Sequence, residues 1–492
     1  MTTAEETKET GTVVWTGEWV AQRLGVSLSG GAELPRLLGL ALRRNPKRAH
    51  LLVSNVLGKH VPQRPDTVYG AGLGLGRQVR ELLGDTEAAR AVVLGYAETA
   101  TGLGHSVADG LALAPYLHST RRPVAGVEQA GGFEEEHSHA TSHLLLPEDP
   151  ALLAGDGPLV LVDDEFSTGR TVLNTIKALH ARFPRERYVV VALVDMRSDT
   201  DRDHLRKFAA DLGARVDLIA LAAGGVHLPP DVLERGQALV AAHQETAPEP
   251  APTPVNRASG TTVADAWEGE SGGSGSSRRT GSTASDAPAA PSGPVQAVRI
   301  DLGWPEGVPD GGRHGFTTAH RSRLETALPG MAARIAEELT GARRVLVLGN
   351  EELMYAPLRL AGALDAGTSA EVYFSTTTRS PVLAVDDPGY AIRTRLAFPA
   401  HDRPADGPGE RYAYNVAPGA DPQRRFDAVV AVTDSHGDTP ELHFADGLLD
   451  RLAAHTDRLL LAVIPSYTPA DPLPQTPESA PKPTLHATRR QV

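Results

Sequence analysis

Leu159-Val160-Leu161-Val162-Asp163-Asp164-Glu165-Phe166-Ser167-Thr168-Gly169-Arg170-Thr171 is the stretch from which the fold can be read. Four apolar residues run into acids, then into a loop of small residues, then into the helical pattern Val172-Leu173-Asn174-Thr175-Ile176. The spacing predicts a strand over 159–162 and a helix over 171–182. Outward from this segment the same grammar recurs. Strands are expected at 49–57 and 187–194. Residues 86–94 run from a helix end into a strand that stops at Gly95, and helical spacing returns at 203–212. Short continuous apolar strands alternating with helices predict an α/β unit whose parallel sheet is covered on both faces. Ligands of such sheets bind beyond the carboxyl ends of the strands, so the residues after each strand carry the chemistry.

A strand, loop and helix in this order aim successive backbone N–H groups and a helix N-terminus at one point, which makes an anion site. Ser167, Thr168 and Thr171 add hydroxyl donors, and Gly169 lets the backbone turn closely without a Cβ clash. Carboxylates beside a bound phosphate would repel it, so Asp163 and Asp164 are suited to hydroxyl groups or a divalent cation instead. A ribose 5-phosphate meets both demands, with its phosphate in the loop and its hydroxyls on the acids. The plain alternative is an acidic strand end followed by a capping loop.

Composition narrows the chemistry. The chain has 492 residues, 41% of them hydrophobic and 22% charged, with a formal charge of −13 and no cysteine. That length allows about three domains at ~150 residues each, or two large ones and a linker. The negative balance argues against a broad nucleic-acid surface, whose affinity comes from neutralising phosphates. Without cysteine there is no disulfide, thiolate–zinc site or thiol nucleophile. The start, Met1-Thr2-Thr3-Ala4-Glu5-Glu6, is not a secretory pattern, and the longest apolar run, Leu459 to Ile464, is far short of the ~18 residues of a membrane span. A cytoplasmic protein acting on small molecules is expected.

From 246 to 297 the chain turns Pro-, Gly-, Ser- and Thr-rich, which predicts a disordered linker. It divides a unit at 1–245 from a second α/β unit at 298–470, and a flexible tail is expected over 471–492. In the second unit a helix is expected at 330–340 and strands at 344–348, 370–374, 428–432 and 459–464. Two loops there look like ligand loops at strand ends: Gly349-Asn350-Glu351-Glu352 and Thr376-Thr377-Thr378-Arg379-Ser380. Thr378, Arg379 and Ser380 suit a phosphate or carboxylate, while Glu351 and Glu352 suit hydroxyls or amines. Helix capping by Ser380 before Pro381 is the simpler alternative. Asp434-Ser435-His436 invites a hydrolase reading but lacks a nucleophile-elbow context.

The segment from Leu159 to Thr171 resembles the 5-phosphoribosyl-1-pyrophosphate (PRPP) motif of type I phosphoribosyltransferases: an apolar strand, two acids and a Thr-Gly-x-Thr loop. Its first half also looks like the opening strand of a response-regulator receiver domain. Receivers begin with that strand, however, whereas here ~150 residues with structural patterning precede it. Upstream, Val92-Val93-Leu94-Gly95-Tyr96-Ala97-Glu98-Thr99 resembles the pyrophosphate loop of the same superfamily. The resemblance implies PRPP contacts from Gly95, Tyr96, Glu98, Thr99, Lys59 and Ser167-Thr168-Gly169-Arg170-Thr171, with Mg2+ on Asp163 and Asp164. Between the two loops lie Arg121, Arg122 and the run Glu134-Glu135-Glu136-His137-Ser138-His139-Ala140-Thr141-Ser142-His143. On composition that run reads as a metal site, an acid/base apparatus or a solvated charged loop, with His139 and His143 on one face if helical. In type I enzymes the position belongs to a mobile catalytic loop, which implies catalytic roles for Arg121, Arg122, His137 and His139.

With Thr378-Arg379-Ser380-Pro381, the chain is similar to the phosphoribosyltransferase-like proteins of bacterial tellurite-resistance and stress operons, which carry a C-terminal domain named for that motif. The resemblance implies transfer of ribose 5-phosphate from PRPP to a base-like acceptor in the synthesis of a nucleoside-like metabolite. It is compatible with a homodimer, and a non-catalytic PRPP or nucleotide sensor is the alternative.

Overall fold

The structure is a computed structural model that describes residues 14–45, 48–111, 114–124, 127, 129–133, 143–246, 296–402, 407 and 409–469. The expected linker and tail, and His137 and His139, lie outside or almost wholly outside these residues.

The first unit holds a six-stranded sheet in the order Ser27–Gly30, Arg215–His227, Arg187–Asp195, Leu159–Phe166, Val92–Gly95, Tyr116–His118. All neighbours are parallel except the antiparallel edge strand Ser27–Gly30. Strand periodicity sends alternate side chains to opposite faces. Val160, Val162, Val189 and Val191 pack against Val68, Leu75 and Val79 of helix Pro65–Ala88 and Leu103 of helix Thr101–Gly110. Leu159, Leu161 and Val190 pack on the other face against Val172, Ile176 and Leu179 of helix Arg170–Arg182. Both faces are covered, as the unbroken apolar runs require.

The second unit has a five-stranded, all-parallel sheet in the order Val298–Ile300, Arg458–Ile464, Ala428–Asp434, Arg344–Gly349, Glu371–Thr376. The two units share one core. Helices Pro65–Ala88 and Thr101–Gly110 pack against Tyr355–Gly367, which rests on the second sheet and on helix Thr318–Glu338. A helical layer is thus clamped between two parallel sheets. Close approach inside it depends on glycine: a Cβ on Gly76 would stand 2.1 Å from the Val107 carbonyl oxygen. Backbone pairing also crosses between units, with Gln63 and Phe374 exchanging N–H···O bonds of 3.0 and 2.8 Å.

Three local expectations change. The strand predicted over 159–162 extends to Phe166, because its backbone keeps pairing with Arg187–Asp195 through Asp163, Glu165 and Phe166. The segment 49–57 does not join the parallel sheet. Arg48–Ser54 instead pairs antiparallel with Leu38–Asn45 in a hairpin packed against the second unit through Val382 and Tyr390. The helix expected at 330–340 begins at Thr318, where Thr317 and His320 form a reciprocal cap. Pro329 lies inside it, and the missing N–H conceals the earlier turns from a pattern reading.

The units are also joined at Glu352, which is buried. Its Oε2 accepts from the Thr120 hydroxyl at 2.7 Å and Arg313 Nε at 3.1 Å, and its Oε1 accepts from the Arg121 backbone N–H at 3.0 Å. Burial opposes ionisation, but Arg313, His118, Arg122 and the Arg121 N–H outweigh it and hold the carboxyl well below the usual range. A depressed carboxylate contributes stability above its unfolded pKa and loses it as pH falls. Glu352→Gln is therefore expected to lower unfolding stability at pH 7 by about 3–5 kcal/mol, the cost of breaking a buried pair. The difference from the parent should shrink on acidification below about 4.3, the value for an unfolded Glu. Urea unfolding across pH checks both.

Candidate functional site

Two loops leave the first sheet side by side. Strand Val92–Gly95 pairs in parallel with Leu159–Val162, and the chain continues from it to Tyr116–His118 on one side and to Leu159–Phe166 on the other. The gap between them is a topological switch point, where the loops diverge and leave a crevice. The loop from Ser167 to Gly169 opens there. Ser167, Thr168 and Arg170 are exposed, and Gly169 caps the following helix in the left-handed region at φ 74°. A side chain at Gly169 would be strained and would also press on the Phe166 ring at 2.7 Å. Asp163 and Asp164 are half-buried at the strand end, and Asp163 Oδ1 accepts from the Asp164 N–H at 3.0 Å. Beside them, burial and the Asp164 charge push Glu165 up to about 7, partly offset by Arg43 and Arg48 of the hairpin.

The loop after Gly95 is built from both units. Its Tyr96 N–H donates to the Val162 carbonyl at 3.2 Å and its Ala97 N–H to the Ser119 hydroxyl at 3.0 Å. The Glu98 carboxylate is buried, 3.2 Å from Lys59 Nζ and 4.0 Å from Arg379 Nε, and Lys59 also donates to the Thr99 hydroxyl at 3.0 Å. Burial favours the neutral acid, yet Lys59, a hydrogen bond from Thr378, Arg379 and Arg121 together hold the Glu98 carboxyl below its ordinary value. The loop acid is thereby neutralised by the protein itself.

The C-terminal loops expected to bind ligands meet this loop from across the interface. Arg379 Nε donates to Glu351 Oε2 at 2.6 Å, and Arg411 Nε donates to Glu351 Oε1. Burial, with the charges of Asp402 and Glu98, raises Glu351 to about 7 in spite of these arginines. Thr378 exchanges backbone hydrogen bonds of 2.9 Å with Tyr412. The Ser380 carbonyl accepts from Tyr414 OH at 2.7 Å, and no helix starts at Pro381 for Ser380 to cap.

The arginines between the loops separate. Arg121 stays near the first unit's edge, its Nη2 3.4 Å from His143 Nε2. Arg122 crosses into the second unit, with Nη1 2.5 Å from Asp434 Oδ2 and Nη2 3.5 Å from Asp402 Oδ2. His143, the described histidine of the acid–histidine run, sits in the short strand His143–Leu145, buried, with Nδ1 2.9 Å from the Ser119 hydroxyl. Asp434 is committed to Arg122, and the Ser435 hydroxyl contacts the Ile464 carbonyl, so the Asp-Ser-His sequence forms no triad. Sequence reasoning missed Thr120, Arg313, Asp402 and Arg411 as site residues, and it weighed Asp434 only within Asp434-Ser435-His436. The four stand in no motif, and they converge with Asp434 only because the two sheets face each other.

Among the described residues no cluster of three or more His, Asp or Glu side chains could hold a metal ion unaided, and no helix is long and apolar enough to cross a membrane. The comparisons with known proteins bear on both units. Residues 37–225 match the family described as "Phosphoribosyl transferase", and residues 310–452 match the "TRSP domain C terminus to PRTase_2". No curated protein matches. Similar solved structures include adenine phosphoribosyltransferase from Giardia lamblia complexed with 9-deazaadenine, at 17% identity over 38% of this chain and 94% of that one, with a TM-score of 0.28. The enzyme of the same name from Thermoanaerobacter pseudethanolicus gives 19% identity over 38% and 96%, with a TM-score of 0.26. Orotate phosphoribosyltransferase from Aeropyrum pernix gives 19% over 41% and 92%, with a TM-score of 0.23. The two family matches run in the order that the second one's description requires: a region similar to the phosphoribosyl transferase family at 37–225 is followed by a TRSP-domain region at 310–452.

Proposed function

We propose that the chain transfers ribose 5-phosphate from PRPP to a base-like acceptor in a nucleoside-like metabolite's synthesis, with residues 1–245 as the transferase and 298–470 as the TRSP-type unit that completes it. A cytoplasmic setting and a link to stress or tellurite resistance belong to the same reading. The observation that carries it is the pair of loops at one switch point, one open and glycine-turned after a diacid, the other following Gly95 on the neighbouring strand with its acid Glu98 paired to Lys59 and Arg379.

In this reading the N–H groups and hydroxyls from Ser167 to Thr171 hold the 5-phosphate, and that remote binding energy positions the anomeric carbon. Asp163 and Asp164 take the ribose hydroxyls and support the positive charge that develops as the glycosidic bond to pyrophosphate breaks. The backbone from Gly95 to Thr99 receives the departing pyrophosphate. Because Glu98 is paired with Lys59 and Arg379, it does not repel that anion. The residues fit Mg2+, which is usually bound through one or two carboxylates plus substrate phosphates rather than a protein cage. Asp163 and Asp164 would hold it, and it would supply charge withdrawal from the leaving group.

Three outcomes are expected. With PRPP, magnesium and a panel of heterocyclic bases, the parent releases pyrophosphate, and Asp163→Asn combined with Asp164→Asn reduces release at least a hundredfold; retained turnover would remove the assignment. Arg379→Met is expected to raise the KM for PRPP about tenfold or more while leaving the folded chain intact by circular dichroism, since it unmasks the Glu98 charge beside the pyrophosphate loop. Finally, PRPP affinity should weaken as pH rises through about 7, because Glu165 then ionises next to the phosphate loop. Glu165→Gln should flatten that profile in calorimetric titrations.

A further inference from the structure

Two fully buried side chains that the transferase reading does not use, Ser119 and His143, stand behind the loop that follows Gly95. Neither belongs to that loop. Strand Tyr116–His118 ends at Ser119, whose backbone N–H donates to the Gly95 carbonyl at 3.0 Å. The next residue, Thr120, exchanges N–H···O bonds of 2.9 Å with Leu144, which lays the short strand His143–Leu145 alongside. The Ser119 hydroxyl joins the three segments. It accepts from the Ala97 N–H at 3.0 Å and lies 2.9 Å from His143 Nδ1.

The consequence follows from where each N–H of the loop is spent. The Tyr96 N–H goes to the Val162 carbonyl, that of Ala97 to Ser119, and that of Ala100 to the Tyr96 carbonyl. The N–H groups of Glu98 and Thr99 have no acceptor among the described residues. Successive free N–H groups of this kind make an anion-binding concavity. Peptide units are rigid planes, so holding the Ala97 N–H inward restricts the directions that the next two can take. We propose that Ser119 and His143 are positioning residues that turn the Glu98 and Thr99 N–H groups toward the pyrophosphate of PRPP, a role that rests on the transferase reading above.

The pair acts as a unit. A serine hydroxyl both donates and accepts, and its hydrogen rotates to suit its neighbours. Bonding to His143 Nδ1 gives the oxygen that receives the Ala97 N–H one place to be, whichever ring nitrogen carries the proton. His143 is held in turn by its strand, and its Nε2 lies 3.4 Å from Arg121 Nη2. The segment between the two ligand loops therefore touches the pyrophosphate loop through this serine and histidine, with Arg121 behind them.

Inorganic pyrophosphate with magnesium tests the role by calorimetric titration of the full chain, with ribose 5-phosphate as the control that reads the Ser167–Thr171 loop. Ser119→Ala and His143→Leu are each expected to weaken pyrophosphate about tenfold while leaving ribose 5-phosphate within about twofold of the parent. A merely structural role would weaken both ligands together. His143→Asn, which returns a polar atom to the position of Nδ1, should recover most of the lost affinity. The variant carrying both Ser119→Ala and His143→Leu should bind pyrophosphate no worse than the weaker single variant, as coupled neighbours do. Amide exchange gives a readout without ligand: the Ala97 N–H should exchange faster in His143→Leu while that of Leu94 stays protected. The proposal is overturned by parent-like pyrophosphate affinity in Ser119→Ala and His143→Leu, or by equal loss of both ligands. Either result leaves the transferase reading standing, whereas a parent that binds neither ligand removes that reading and the proposal with it.

Discussion

A buried carboxylate, that of Glu352, is the constraint on which both carboxyl edges depend. It sits at the end of a parallel strand in one unit and accepts from Thr120 and Arg121 of the other, with Arg313 closing the set. Taking such a charge out of water costs several kcal/mol, which only a full complement of donors offsets. Once that complement is required, the segment from His118 to Arg122 has one place to be. Its position in turn fixes Ser119 under the Ala97 N–H and sends Arg122 to Asp434. The geometry of the first unit's loop is therefore inherited partly from the second unit.

The same logic explains why an acid is tolerated in a loop that would receive pyrophosphate. Glu98 alone would oppose a tetra-anionic group. Between Lys59 and Arg379 it becomes part of an alternating relay that runs through Glu351 to Arg411. Alternation keeps each buried charge beside opposite ones, and the relay spans the interface rather than lying on either side. The Thr-Arg-Ser-Pro segment is a structural bridge in this sense: Arg379 faces the relay while Pro381 and Val382 pair with the hairpin Leu38–Asn45.

Packing makes the bridge permanent. The helices behind the loop, Pro65–Ala88 and Thr101–Gly110, are covered by the second unit's helices, and every residue of Thr101–Gly110 is buried. Tyr69 and Tyr355, one from each unit, both donate to Asp109 Oδ2 at the far end of that short helix, at 3.0 and 2.7 Å. Neither half has a complete apolar face of its own on that side.

The sequence by itself determined what depends on neighbours along the chain. Continuous apolar runs such as Val189 to Leu193 demand a strand covered on both faces, and Asp163-Asp164 followed by Ser167-Thr168-Gly169 demands an acidic strand end and a tight, donor-rich turn. That was enough for two parallel α/β units and for the diacid and its loop. It could not disclose helix Pro65–Ala88, whose Gly70, Gly72, Gly74 and Gly76 look helix-breaking until Gly76 is seen against Val107. Nor could it pair residues far apart along the chain: Glu98 with Lys59 and Arg379, Arg122 with Asp402 and Asp434. Local pattern encodes the torsions and the buried face of each element, but the partner of a buried charge is whichever opposite charge the packed sheets bring within ion-pair distance, and only the tertiary structure decides that.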